Sequence, residues 1–329
     1  MSLQLSIACR PYDRIAALMN GSVAVEGCRT TILPLAAEEI FSRAYSRAEF
    51  DVSELSMSSH IITTEKGISP YVGIPVFMSR MFRHSAIYIR TDLGISSPQD
   101  LRGRTLGVPE YQMTAALWVR GMLSDIYGVN AEHIAWRTGG LQQPGRREKF
   151  GMTFSSPFNV QPIPEDQTLD ALLARGELDG IVSARAPSCF LNKTVPVRRL
   201  FENFEAEEKD YYRKTGLFPI MHVIGVRRDL LDRHPWLASS LFKAFDAAKR
   251  ACLAAIEDDN ALQLMLPWSL QHYAETRSLM GDDYWPYGVA KNRAALDAMV
   301  RYSREQGLTS SISDPRELFA PCDEHQAKA

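Results

Sequence analysis

The stretch SSPQDLRGRTLGVPEYQMTAALWVRGMLSDIYG, residues 96–128, carries the clearest sign of the fold. Within it, residues 104–108 have the pattern of a strand, and residues 111–127 have helical periodicity that Gly128 ends. A strand followed at once by a helix is the repeating unit of a parallel α/β sheet. The sequence around residue 100 therefore predicts α/β architecture.

The same alternation continues downstream of this unit. The predicted elements there are a strand at 133–138, a long polar loop at 139–166, a helix at 167–175 and a strand at 178–185. The loop is rich in proline and glycine, which is typical of a lid over a binding site. One array of strands and helices therefore accounts for the middle of the chain.

A second array comes from the two ends of the chain. Upstream, alternating Leu3, Leu5 and Ile7 predict a first strand, and the pattern predicts further strands at 28–35 and 50–56 with a helix at 36–48. Residues 73–90 then form two extended segments with no helix between them. Beyond residue 196, a short strand VRRLF and an apolar strand at 218–227 precede a helix with Asp229 as its N-cap and a break near Pro235.

These patterns predict two doubly wound α/β domains joined by hinge strands, with a cleft between them. The first lobe would take residues 1–90 and 197–329, and the second would take residues 91–196. Strand ends and helix N-termini converge on such a cleft, which makes it the natural site for a small ligand.

Composition excludes several function classes. The 329 residues include 37 Lys+Arg and 39 Asp+Glu, a net charge of −2 that gives no general attraction to nucleic acid or anionic membranes. No apolar run approaches the roughly 18 residues of a membrane span. The five cysteines form no CxxC pair, and HExxH, GxSxG, GxGxxG and Walker A motifs are absent from the sequence. The N-terminus has no basic and apolar secretion signal, which predicts a cytoplasmic protein.

Several stretches together resemble the 4,5-dihydroxyphthalate decarboxylase family, whose fold is similar to that of type II periplasmic solute-binding proteins. The stretches that carry the resemblance are LSIACRPYDR (5–14), FDVSELSMSS (50–59), FMSRMFRHSAIYIR (77–90), GVPEYQMTAALWVRG (107–121), DGIVSAR (179–185) and LFPIMHVIGVRRDLL (217–231). The resemblance implies decarboxylation of 4,5-dihydroxyphthalate to 3,4-dihydroxybenzoate and carbon dioxide. It also implies that a small aromatic dicarboxylate is the partner.

Such a reaction requires a proton at the ring carbon that loses carbon dioxide, because a free aryl anion is too unstable to form. A hydroxyl para to the departing carboxylate can supply electrons, so the ring is its own electron sink. No organic cofactor is therefore required, and no motif supports a metal site, although one built from scattered His, Asp and Glu residues stays open. The protein must supply a proton donor, a base near the hydroxyl and cations for the second carboxylate.

Two residues are candidates for the proton transfers. His222 lies in the apolar strand FPIMHVIG, where a histidine needs a hydrogen-bond partner, and it would be the general acid. Glu54 ends a short buried strand, and burial would raise its pKa and make it a base for the phenol. The plainer interpretations are a core histidine bonded to the backbone and a structural salt bridge.

The remaining candidates would bind the substrate. Arg185 ends the strand DGIVSAR and is the first choice for a carboxylate, because a guanidinium binds both carboxylate oxygens. Arg80 and Arg83 lie in the hinge segment, where a salt bridge between lobes is the competing interpretation. The further candidates at the predicted cleft, for which helix capping and loop packing are the alternatives, are Tyr12, Ser58, Ser59, Tyr111 and Thr114.

Two other functions stay open at this level. A solute-binding protein that serves a transporter would share the fold and the arginines, and a secretion signal upstream in a longer gene would favour it. Another enzyme on the same scaffold is the third alternative, since a fold does not dictate chemistry. Nucleic acid and membranes are not expected as partners, and association into a homo-oligomer is left open.

Overall fold

The structure, a computed structural model, describes residues 2–323 and contains two β-sheets of five and six strands. The strands are β1 (Leu3–Cys9), β2 (Cys28–Pro34), β3 (Val52–Ser56), β4 (Tyr71–Arg80), β5 (Ile87–Arg90), β6 (Thr105–Val108), β7 (Ala135–Thr138), β8 (Val160–Pro162), β9 (Gly180–Val182), β10 (Val197–Arg199) and β11 (Ile220–Arg227). Met1 and residues 324–329, the extreme ends of the predicted first lobe, lie outside the described residues.

Eleven α-helices accompany these strands between residues 2 and 323. They are α1 (Ala16–Met19), α2 (Ala37–Arg47), α3 (Met57–Glu65), α4 (Thr114–Tyr127), α5 (Leu169–Arg175), α6 (Ser188–Leu191), α7 (Phe204–Thr215), α8 (Arg228–Arg233), α9 (Leu237–Glu257), α10 (Ser269–Met280) and α11 (Arg293–Glu305). No helix in this part of the chain is both long and apolar enough to cross a bilayer.

The first sheet has the strand order β2-β1-β3-β11-β4. Strand β1 pairs in parallel with β2 and β3, as the alternation of strands and helices predicts. Strand β11 returns late in the chain and lies antiparallel between β3 and β4, with His222 opposite Ser56. The carboxyl end of β3 therefore lies beside the start of β11, and β1 runs parallel on the other side of β3.

The second sheet has the order β10-β5-β9-β6-β7-β8. The predicted first lobe, residues 1–90 and 197–329, includes β5 and β10. Both strands pair in the second sheet, so the sheets change a few residues outside the predicted boundaries at 90 and 197. Strand β5 pairs with β9 and β10, so the chain crosses between the sheets at 81–86 and again at 200–219. A short apolar strand suits either sheet, and its sequence does not tell which partner it takes.

Three local predictions differ from the structure. Strand β8 lies inside the predicted loop 139–166, and helix α7 was not predicted at all. Tyr211 is the buried residue among the twelve residues of α7, so the helix lacks the apolar stripe by which helices are recognised. Asp229 is not an N-cap: it lies in the first turn of α8, and its carboxylate accepts a 2.6 Å bond from Arg227 Nε.

Strand β4 departs from regular pairing beside the site. Its register against β11 shifts on both sides of His222, which leaves backbone carbonyls of β4 without ladder partners. Three donors outside the sheet bind these carbonyls: Gly288 N binds Pro75 O at 2.8 Å, Trp285 Nε1 binds Phe77 O at 2.9 Å, and Arg14 Nε binds Met78 O at 2.7 Å. Each of these three carbonyls of β4 thus accepts a hydrogen bond from a group outside the sheet.

The two lobes are in direct contact. The indole of Trp118 on α4 donates to the carbonyl of Ile220 on β11 at 2.8 Å. Helix α4 also packs tightly against α11, where a Cβ atom at Gly121 would meet the ring of Tyr302 at 2.4 Å. Glycine is required at position 121 by this close approach.

Candidate active site

The centre of the site is the carboxylate of Glu54, which is fully buried on β3. Its Oε1 accepts hydrogen bonds from Tyr12 Oη and His222 Nδ1, both at 2.6 Å. Its Oε2 accepts from the backbone N–H of Arg10 at 2.9 Å and lies 3.5 Å from the thiol of Cys9. A carboxylate has about four acceptor positions, so these four donors satisfy Glu54 completely.

The local fold explains why these groups converge. Strands β1 and β3 are parallel neighbours, so the residues that follow β1 reach the end of β3. The ring of Tyr12 is held in place by Arg14, whose guanidinium lies 4.0 Å from the Tyr12 ring centroid and 4.4 Å from that of Trp285. The tyrosine hydroxyl is therefore directed at the carboxylate by packing on its other side.

Burial alone would raise the pKa of Glu54, but the hydrogen bond and charge of His222 act in the opposite direction. The donors from Arg10 and Tyr12 add to this effect, and the net result is a pKa below the ordinary value. The expectation of a raised pKa at Glu54 is therefore wrong, because it counted desolvation without the donors. Burial and the neighbouring carboxylate raise the pKa values of Cys9 and Tyr12, which keeps both protonated.

His222 is bound to a carboxylate and not to the backbone. Because an ionised Glu54 only accepts hydrogen bonds, the Nδ1 atom of His222 must carry a proton. The other ring nitrogen, Nε2, has no hydrogen-bond partner among residues 2–323, and 18% of the side chain is exposed. The ring of Phe41 packs edge-on against the imidazole at 4.9 Å between centroids. Nε2 is the atom of this pair that can exchange a proton with a ligand.

Serine and threonine hydroxyls join the lobes next to this pair. Thr114 begins α4, and its Oγ1 lies 2.9 Å from Ser56 Oγ and accepts from Ser58 N at 3.0 Å. The Oγ atom of Ser58 is buried and has no partner among the described residues. Ser59 is buried in the first turn of α3, where its carbonyl accepts from Thr63 Oγ1. Ser58 and Thr114 thus lie together, across the boundary between the lobes.

A cavity of about 390 Å³ opens between the lobes. Glu38 of α2 lines it from the first lobe, and Met113, Arg146, Ser183 and Arg185 are among the residues that line it from the second. Its volume is in the range of small-molecule sites.

The Glu54–His222 pair does not itself line this cavity, but chain neighbours of its lining residues lie beside the pair. Glu38 lies one helical turn before Phe41, whose ring touches His222, and Met113 directly precedes Thr114. Arg185 lines the cavity and forms a 3.1 Å ion pair with Glu38.

The two hinge arginines lie elsewhere. Arg80 is buried and donates to the carbonyls of Phe218 and Pro286 at 3.0 and 2.9 Å, and also to Asn292. Burial lowers the pKa of Arg80 to about 9. Arg83 donates from Nε to the sulfur of Met221 at 3.3 Å and forms no ion pair within residues 2–323. The alternative interpretation of these two arginines was a salt bridge between the lobes. Within residues 2–323, neither Arg80 nor Arg83 forms one.

Tyr111 is also engaged by contacts with both lobes. Its ring is fully buried, with the guanidinium of Arg120 3.7 Å from its centroid, and its hydroxyl donates to the carbonyl of Gln306 at 3.3 Å. Its backbone N–H donates to Glu148, which lines a second cavity of about 580 Å³ under residues 139–167. Burial raises the pKa of Glu148 to about 7. This larger cavity lies within one lobe, away from the Glu54–His222 pair.

The structure thus brings together His222, Glu54 and Tyr12 in one network and places Ser58 and Thr114 beside it, with Arg185 at the cleft. Among the predicted site residues, Arg185 alone is part of the cavity lining. Sequence reasoning missed Glu38 and Arg146, which meet there. Neither had a signal, since Glu38 lies in an ordinary amphipathic helix and Arg146 in a polar loop. In residues 2–323, no group of three or more His, Cys, Asp or Glu side chains converges as a metal site would require.

Comparison with characterised proteins reveals close relatives. The chain is 43% identical over 319 residues to a 4,5-dihydroxyphthalate decarboxylase of Comamonas testosteroni, covering 97% of both chains. It is 44% identical over 211 residues to a 4,5-dihydroxyphthalate decarboxylase of Pseudomonas putida, covering 64% of this chain and 82% of that one. No family model matches the chain.

Solved structures establish the fold. A periplasmic aliphatic sulphonate binding protein of Escherichia coli superposes with a TM-score of 0.53 at 13% identity, over 100% of this chain and 94% of that one. A putative periplasmic sulfonate-binding protein of Methylobacillus flagellatus gives 0.56 at 14% identity, over 97% and 92%. The two-lobed fold of type II periplasmic binding proteins is confirmed. Identity across nearly its whole length shows that the chain belongs to the 4,5-dihydroxyphthalate decarboxylase family.

Proposed function

We propose that this protein removes one carboxylate from 4,5-dihydroxyphthalate and releases 3,4-dihydroxybenzoate and carbon dioxide. Membership of the decarboxylase family supports the reaction. The observation that carries the mechanism is the 2.6 Å bond between Glu54 Oε1 and His222 Nδ1, which leaves Nε2 of the partly exposed imidazole without a partner among residues 2–323. The pair thus supplies a proton donor of fixed orientation.

The chemistry is a replacement of carbon dioxide by a proton. A proton adds to the ring carbon that bears the departing carboxylate, while the hydroxyl para to it donates electrons into the ring. The bond to the carboxylate carbon then breaks, its electron pair restores the aromatic ring, and carbon dioxide leaves. Protein side chains must therefore deliver one proton to carbon and hold the ring still while this happens.

His222 delivers that proton from Nε2. Glu54 does not touch the substrate in this proposal, since its oxygens are occupied by four donors of the protein. It acts as a positioning residue that orients the imidazole and stabilises its charged form. Tyr12 fixes Glu54 in the same way. The role of base for the phenol, which the sequence assigned to Glu54, is not part of the proposal.

Arg185 binds the carboxylate that stays on the ring, because it lines the cleft and a guanidinium matches a carboxylate geometrically. Ser58, Ser59 and Thr114 are proposed as hydrogen-bond partners where the two lobes meet, beside the Glu54–His222 pair. Substrate binding by Arg83 stays a prediction, since this arginine contacts Met221, interacts with the charge of Glu208 and does not line the cavity. Substrate contact by Arg80 and Tyr111 stays a prediction that their present hydrogen bonds do not support.

The direct test is to incubate the purified protein with 4,5-dihydroxyphthalate and to measure both products. In deuterium oxide, we expect 3,4-dihydroxybenzoate with one deuterium at ring carbon 6, the position that the carboxylate has left. A reaction in which the label is absent from this carbon would contradict ring protonation. Retention of full activity after dialysis against a chelator would support the prediction that no metal is needed.

The competing function is that of a solute-binding protein. Tight binding of 4,5-dihydroxyphthalate with unchanged ligand recovered after long incubation would favour it and contradict the enzyme proposal. The cytoplasmic location is likewise a proposal, and fractionation of the producing cells with an antibody against the chain would test it.

A further inference from the structure

A second carboxylate stands at the cleft between two arginines. Glu38 Oε2 lies 3.1 Å from Nη2 of Arg185, and Glu38 Oε1 lies 3.3 Å from Nη1 of Arg146. Glu38 belongs to α2 of the first lobe, whereas both arginines belong to the second. All three side chains line the cavity of about 390 Å³. A protein carboxylate thus occupies the position between two guanidinium groups at which a substrate carboxylate would be bound.

Arg146 has a second partner that would stay when Glu38 leaves. Its Nη2 and Nε bind Oε1 of Glu110 at 2.6 and 2.9 Å, and the side chain of Glu110 is buried. Lys149 lies 3.4 Å from the same oxygen and Gln112 donates to the other, so Glu110 is itself held in place. Arg146 is therefore anchored from the protein side, with Nη1 directed at Glu38.

The contacts of Glu38 are weak enough to be exchanged. The side chains of Arg185, Glu38 and Arg146 are 74%, 51% and 30% exposed. Ion pairs of this kind contribute little in water because solvent screens them. A ligand carboxylate that enters the cavity can replace Glu38 at both arginines and keeps the same number of contacts.

From this arrangement we propose that Arg146 and Arg185 together form the clamp for the carboxylate that remains on the ring. We further propose that Glu38 occupies the clamp in the empty protein and is displaced by the substrate. The inference rests on the proposed function and adds to it a specificity rule. Aromatic 1,2-dicarboxylates are preferred over monocarboxylates, because only a dianion offers one carboxylate to the clamp and another to the reaction.

Phthalate is a suitable probe, since it has both carboxylates but lacks the hydroxyls that drive the reaction. We expect calorimetry to show phthalate binding and much weaker binding of benzoate. Glu38→Gln removes the internal competitor and should lower the Kd for phthalate about fivefold, whereas Arg146→Gln should raise it about tenfold. When Arg146→Gln is already present, Glu38→Gln should lower the Kd for phthalate by less than it does alone, because one of the two arginines of the clamp is gone.

Glu39→Gln is the matched control for the glutamate. Its carboxylate is 49% exposed on the same helix, but it pairs with Arg43 of the first lobe and does not line the cavity. Arg147→Gln is the control for Arg146, because Arg147 is its neighbour and pairs with Glu165. Neither control should change the Kd.

The outcomes separate this inference from the proposed function. Tighter phthalate binding by Glu38→Gln in a protein that never releases carbon dioxide would support the clamp and contradict the decarboxylase. A working decarboxylase whose phthalate affinity is unchanged or reduced by Glu38→Gln would overturn the exchange, since a reduced affinity means that Glu38 serves to close the lobes. Absence of phthalate binding to the unaltered protein would overturn the clamp as well.

Discussion

Two carboxylates of the first lobe each contact a cationic or potentially cationic side chain near the cleft, and they differ in almost every physical respect. Glu54 is fully buried and accepts four hydrogen bonds, whereas Glu38 is half exposed and bound by two screened ion pairs. Desolvation strengthens the interactions of Glu54, while water weakens those of Glu38. The comparison indicates that burial decides whether a carboxylate fixes its partner or can release it.

The largest effect is expected from the partner of the buried carboxylate. His222→Gln removes the proposed proton donor, and general acid catalysis typically contributes about 10²–10⁴-fold. We expect kcat for carbon dioxide release to fall by that range, while the Kd for phthalate changes little. A variant with normal kcat would show that His222 is not the donor. Circular dichroism would establish that the variant is folded.

Glu54→Gln should reduce kcat by about 10–100-fold, because the amide cannot stabilise a charged imidazole as a carboxylate does. The loss should fall on kcat and leave the Kd for phthalate nearly unchanged, which a general disruption of the site would not do. Asp51→Asn is the control, since Asp51 precedes β3 and binds Ser6 away from the cleft. A weaker affinity for phthalate with an unchanged kcat in Glu54→Gln would contradict the positioning role.

Tyr12→Phe removes one donor from Glu54 and leaves the ring that Arg14 covers. A hydrogen bond to a charged group contributes about 1.5–3 kcal/mol. The other three donors to Glu54 compensate for part of this loss. A loss in kcat of about 3–10-fold is expected, with a small rise in KM. A loss as large as that of His222→Gln would mean that the tyrosine itself contacts the reacting ring.

Acid should weaken the fold through the same carboxylate. Since the pKa of Glu54 is lower in the folded protein than its ordinary value of 4.5, its ionised form stabilises the fold above that pH. This stability is lost as the pH falls below 4.5 through the folded value. As the pH falls from about 5 to about 3, the urea midpoint should therefore drop less steeply in Glu54→Gln than in the unaltered protein. Equal slopes would contradict the lowered pKa.

The smallest effect is expected at the exposed carboxylate. Glu38→Gln should change the free energy of unfolding by less than about 1 kcal/mol, because exposed ion pairs contribute about that much at most. Addition of salt should shrink the difference further. A loss of several kcal/mol, measured by urea denaturation, would show that the contact holds the lobes together and would remove the contrast with Glu54.

Sequence patterns predicted the fold well where strands were apolar and helices amphipathic. The strands around Ile7, Val52 and Ile224 and the helix that begins at Thr114 were all anticipated within a few residues. Helix α7 was missed because its surface is polar nearly all round. Strands β5 and β10 were found, but they were placed in the wrong sheet, since pairing depends on the path of the chain.

The buried part of the site was more predictable than its rim. An ionisable group in an apolar strand needs a partner, and this rule singled out both His222 and Glu54 before their contact was known. The direction of the Glu54 pKa was wrong, because the number of donors around a carboxylate cannot be counted from sequence. The pairing of Glu38 with Arg146 had no signal at all, since it joins a surface helix to a polar loop.

The late arrival of β11 has a consequence for how this protein is made. Glu54 and His222 are 168 residues apart, and the strand that carries His222 separates β3 from β4 in the finished sheet. At about 5–20 residues per second, a ribosome needs roughly 10–30 s to reach His222 after Glu54. Throughout that delay β3 and β4 have unpaired edges, which favour association with other nascent chains. Chaperone demand and sensitivity to premature termination should therefore be concentrated in this interval of synthesis.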